Sequence, residues 1–145
     1  MAGAPTPMGF LYFTAVKAAG YTAASVVLKY GYGLWRAAKP SVWALGLTRT
    51  GIGLLAGGVY GGLWILALNK FNNSGGEGSA VLFYAFLLPV RLAEWILLIW
   101  LFLDRGLLQR GRMWKYAAFG TICSYALDAI GVGAALVLPG GFWVC

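Results

Sequence analysis

The chain has 145 residues, 61% of them hydrophobic and 10% charged, with a mean hydropathy of +0.77. A water-soluble domain carries about 25% charged residues, so lipid rather than water must cover much of this surface. Eleven Lys and Arg against four Asp and Glu give a formal charge of +7, but no wettable domain gathers those charges for nucleic acid.

A hydrocarbon core of roughly 30 Å needs about 20 helical residues, and four stretches approach or exceed that length. The first runs from Phe10 to Leu28 and is interrupted by Lys17. Met1 to Gly9 carries no basic side chain, whereas a signal peptide opens on one, so the segment reads as a retained helix. One of its faces is small: Ala15, Ala18, Ala19, Thr22 and Ala23. In the linker 29–50, Pro40 stops any continuing helix and Ser41 suits an N-cap. Trp43 to Leu47 then either lies along the membrane surface or extends the next segment.

The second segment, Gly51 to Leu68, has no charge. Gly53, Gly57 and Gly61 repeat at four, as do Gly58 and Gly62. Overlapping GxxxG patterns let a second helix approach to backbone contact. The partner is left open between segment one, a second copy, another membrane protein, and a flat pigment or quinone; no cofactor is identified. The polar connection 69–78 follows, with the Asn72-Asn73-Ser74 sequon.

The third segment, Ser79 to Leu103, carries Arg91 and Glu94 at its middle. Each charge costs about 2.5–3.5 kcal/mol to insert at a helix centre. Fifteen Leu, Ile, Val and Phe residues return about 0.3–0.6 kcal/mol apiece. The sums are comparable, and pairing of Arg91 with Glu94, three residues apart, tips the balance toward insertion. Trp95 and Trp100 lie too deep for an interfacial belt, which points to lipid contact or to a partner. The hairpin 104–115 is basic, and its Leu107-Leu108 pair dips into the interface.

The fourth segment, Tyr116 to Leu138, contains Asp128. Thr121, Ser124, Tyr125 and Asp128 fall at spacings of three, four and seven and share one face. The chain is thus expected to be an all-α, polytopic integral membrane protein, a single bundle of four transmembrane helices over residues 1–145. The apolar character is continuous around each segment, unlike the alternation of a β-barrel.

Orientation follows from the basic residues. Lys29, Arg36, Lys39 and Arg49 lie between segments one and two, and Arg105, Arg110, Arg112 and Lys115 between three and four; only Lys70 lies in the remaining connection. The positive-inside rule places both basic linkers in the cytoplasm and both termini outside. A bacterial inner membrane or an equivalent energy-transducing membrane is the expected location.

There is no His, which removes the commonest metal ligand and neutral-pH general base. Cys123 reads as a core residue and Cys145 as a terminal thiol; without a CxxC pair, the chain lacks what a quinone-linked thiol reductase needs. The charges left for function are Lys17, Arg91, Glu94 and Asp128, which sum to zero. Arg91 lies 12 residues from Ser79 and Asp128 lies 10 from Leu138. At 1.5 Å per residue those depths match to within about one turn. With Thr121, Ser124 and Tyr125 they form the expected intramembrane polar cluster, either a clamp between helices or a path for protons. No catalytic residue or metal site emerges. The expected role is a non-catalytic subunit that scaffolds a larger membrane complex, in contact with lipid and with other subunits or copies of itself. A small oligomeric proton-coupled transporter using the Arg, Glu and Asp cluster is the alternative.

Overall fold

The computed structural model describes residues 7–34, 40–70 and 77–137. They form four α-helices: α1 (Pro7–Gly31), α2 (Val42–Lys70), α3 (Glu77–Phe102) and α4 (Arg110–Val137). Three of them are long and apolar enough to cross a membrane, over Gly9–Gly31, Val42–Lys70 and Val81–Phe102. Arg36, Lys39, the Asn72-Asn73-Ser74 sequon and Cys145 lie outside the described residues.

The helices form a square. Each packs against its neighbours in the order α1, α2, α3, α4 and back to α1, with no comparable diagonal contact among the described residues. Successive helices run antiparallel. Along α1 the partners on α4 come in reverse order, Gly131 beside Phe13, Leu127 beside Gly20 and Tyr116 beside Gly31.

Local chemistry sets the helix ends. Ser41 Oγ accepts a hydrogen bond from the Ala44 amide at 3.1 Å, so α2 starts at Val42 and the stretch 43–47 is continuous with that helix. Its start is nine residues earlier than the apolar window beginning at Gly51 implies. The cause is that capping and propensity, not hydropathy, decide where a helix begins. Ahead of α4, the Asp104 carboxylate accepts from the amides of Leu108 and Gln109 at 3.2 and 3.0 Å. This turn holds Leu107 at a positive φ of 49° and leaves Leu108 exposed.

The core sits at the end where the two basic connections lie. Tyr21, Leu28, Leu45, Trp95, Leu98, Ile99, Met113 and Ala117 pack there. Helices in lipid gain no hydrophobic drive from one another, so close backbone approach matters. At Gly46 a Cβ would stand 2.7 Å from Thr22 Cα, and at Gly120 a Cβ would stand 2.3 Å from the Trp95 ring. Toward the other end, α2 and α3 turn large apolar side chains outward, among them Leu55, Val59, Leu63, Val81 and Phe86.

Pro89 lies inside α3 and removes one amide donor from that helix. In the turn before it, the Tyr60 hydroxyl of α2 donates to the Phe83 carbonyl and the Tyr125 hydroxyl of α4 donates to the Tyr84 carbonyl, each at 2.8 Å. Neighbouring helices thus tie into the turn before Pro89 through the Phe83 and Tyr84 carbonyls, whereas the carbonyl that the proline deprives of a donor is that of Ala85, four residues back.

Candidate functional site

Five charged side chains meet inside the bundle, and every helix contributes at least one. Lys17 Nζ of α1 lies 2.6 Å from Asp128 Oδ1 of α4, and Asp128 Oδ2 accepts from Arg91 Nη2 of α3 at 3.0 Å. Arg91 Nη1 reaches Glu94 Oε2 at 3.3 Å, and Glu94 Oε2 lies 2.6 Å from Arg49 Nη2 of α2. The result is an alternating ladder: Lys17, Asp128, Arg91, Glu94, Arg49. All five are buried, Arg49 and Arg91 completely.

Helix geometry explains the convergence. Arg91 and Glu94, three apart, share one face of α3, so this helix supplies the middle of the ladder and its neighbours supply the ends. Arg49 lies seven residues into α2, about 10 Å from its start, whereas Lys17 lies 14 residues from the end of α1, about 21 Å. The ladder therefore runs obliquely along the bundle axis rather than in one plane. A shallower Lys17 still meets Asp128 because its side chain is long.

Arg49 is the residue that sequence reasoning missed. Counted as a linker charge, it is a fully buried member of the ladder. Its inclusion changes the charge count from zero to a formal +1, with three cations against two carboxylates. Aromatic faces meet both cationic ends. The Lys17 ammonium stands 4.4 Å from the Phe13 ring centroid, and the Arg49 guanidinium lies 4.7 and 4.8 Å from the Tyr21 and Trp95 rings. Each such contact is worth about 2 kcal/mol when desolvated.

The polar face of α4 divides in use. Ser124 Oγ donates to the Gly120 carbonyl at 3.0 Å, and accepts from Arg49 Nη2 at 3.2 Å and from Trp95 Nε1 at 3.0 Å. It anchors the Arg49 end of the ladder. Thr121 only turns back to the Ala117 carbonyl, and Tyr125 serves the turn before Pro89. Trp95 is a buried core residue of this chain, not a lipid or partner contact as its depth suggested, while Trp100 remains 44% exposed.

The glycines of α2 also divide. At Gly53 a Cβ would stand 2.9 Å from Arg49 Nη1 and 3.6 Å from Arg91 Nη1, so this glycine makes room for the ladder. Gly57 is buried. Gly58, Gly61 and Gly62 have nothing within 4 Å of a Cβ position. The close glycine contact of α2 with α1 is made at Gly46, against Thr22, outside the repeat, and the C-terminal half of the repeat is left open among the described residues. Cys123 is a half-buried free thiol on α4.

No family model matches the chain, and no curated protein or solved structure matches it.

Proposed function

We propose that this chain is a small integral membrane subunit that holds partner helices in a larger complex and performs no catalysis. The observation that carries the reading is the outer half of α2. Gly58, Gly61 and Gly62 stay open there, beside exposed Leu55, Val59 and Leu63. Small residues repeated at four suit backbone packing against another helix, and among the described residues nothing packs on them.

In this reading all four helices cross the membrane, with both termini outside and the basic connections in the cytoplasm. With Arg49 removed from the count, the sequence still has seven basic residues in the linkers 29–50 and 104–115 against Lys70 in the connection 69–78. The positive-inside argument therefore survives, and a bacterial inner membrane or its equivalent suits it. The ladder acts as a clamp: each carboxylate touches two cations, and the five residues tie α1, α2, α3 and α4 into one rigid body. The lipid bilayer and other membrane subunits are the partners.

Extraction in mild detergent and native mass measurement tests this. A complex with different membrane proteins in fixed stoichiometry, lost in Gly58→Leu/Gly62→Leu, is the expected result. A pure homo-oligomer that the double variant leaves intact would overturn it.

A further inference from the structure

The hairpin between α3 and α4 gathers charge that the chain itself does not balance. Arg105, Arg110, Arg112 and Lys115 are exposed there, and among the described residues none of them makes an ion pair. Of the four carboxylate side chains, Glu94 and Asp128 belong to the ladder, and Glu77 opens α3, about 37 Å from its last residue Phe102. Asp104 is nearby, but its two oxygens accept from the Leu108 and Gln109 amides. Arg112 Nη1 donates to the neutral Gln109 side chain, at 2.9 Å.

The same turn presents an apolar side chain. Leu107 is held at a φ of 49°, a conformation that L residues avoid, and Leu108 next to it is 87% exposed. An open groove of about 570 Å³ runs from Leu108 past Gln109, Arg110 and Gly111 to Arg112. Trp114, further along α4, is 54% exposed. An exposed leucine and tryptophan among unbalanced cations fit the boundary between headgroups and acyl chains, where apolar and charged groups are both satisfied. Chain connectivity puts them at that level, since Arg105 follows the end of the apolar span Val81–Phe102 by three residues. We infer that the groove holds the phosphate of an anionic phospholipid between the Arg110 and Arg112 guanidiniums, with Leu108 against the start of its acyl chains. An acidic protein segment would match the charges but not the leucine. The site rests on α3 crossing the membrane; it goes beyond the scaffold reading and does not depend on it.

Native mass measurement of the full chain in detergent, titrated with dioctanoyl phosphatidylglycerol or dioctanoyl phosphatidylcholine, tests this. Each basic side chain near an anionic headgroup contributes a factor of about five. Phosphatidylglycerol should therefore half-saturate about tenfold or more below phosphatidylcholine, and soluble glycerol phosphate should not be retained over the same range. Arg110→Gln/Arg112→Gln should weaken phosphatidylglycerol binding about 25-fold, whereas Arg110→Lys/Arg112→Lys should keep most of it. Leu108→Ser should weaken both lipids alike, and Lys70→Gln, at the far end of α2, should change nothing. Equal retention of the two lipids by the unaltered chain would overturn the site, as would Arg110→Gln/Arg112→Gln binding like the parent. Glycerol phosphate bound as tightly as the lipid would replace it by a free phosphate, and polyglutamate bound more tightly than either lipid would replace it by an acidic protein; both overturn the inference.

Discussion

Asp128 and Arg49 carry the two lessons of the residue scale. Asp128 touches Lys17 and Arg91 on two different helices, so Asp128→Asn leaves two buried cations each short of a partner. Removing one member of a buried ion pair typically costs 3–5 kcal/mol. Asp128→Asn should therefore lower unfolding stability in micelles by about that amount, and Lys17→Met in the same background should recover part of it by removing one unmatched cation. If the double variant is no more stable than Asp128→Asn alone, the Lys17–Asp128 contact contributes nothing. Four of the five ladder residues were legible in the sequence, because charges inside apolar segments stand out. Arg49 was not, because it precedes the apolar window at Gly51 and resembles a topology-setting loop residue. The available signal lay in the Ser41 cap: a helix begun there puts Arg49, Gly53 and Gly57 on one face.

At the scale of the element, α2 has two halves with different duties. Its first half is packed tightly, with Gly46 against the Thr22 backbone and Gly53 beneath two guanidiniums; its second half faces outward. The repeat of glycines was plain in the sequence. Which glycines the chain itself uses was not, since GxxxG spacing marks a face without saying what covers it. Gly46→Ala must push α1 from α2 and should destabilise the chain by about 1–3 kcal/mol. Gly62→Ala meets open space and should leave stability unchanged or raise it by up to about 1 kcal/mol, the advantage of Ala over Gly inside a helix; chemical unfolding in micelles distinguishes the two. In α3, tyrosines of the neighbouring helices bond the turn before Pro89. Tyr125→Phe removes the donor to the Tyr84 carbonyl and should cost about 0.5–1.5 kcal/mol, measured the same way. The hydroxyl contacts at Pro89 could not be read from spacing, because they join residues 41 apart.

For the whole molecule, the low content of charge and the gathering of basic residues at one end foretold an all-helical membrane protein. The structure adds that five of the buried charges form one connected object reaching every helix. That object is a ladder of paired groups, with each carboxylate between two cations and each end against aromatic rings. Such an arrangement suits a clamp, whose members keep their partners, better than a relay, whose members must exchange them. The most direct test is proton flux into proteoliposomes reconstituted with the purified chain, followed with a pH-sensitive dye under an imposed gradient. Flux equal to that of empty vesicles, for the parent and for Asp128→Asn alike, is the expected result. Flux well above empty vesicles that Asp128→Asn abolishes would contradict the clamp and make the ladder a proton path.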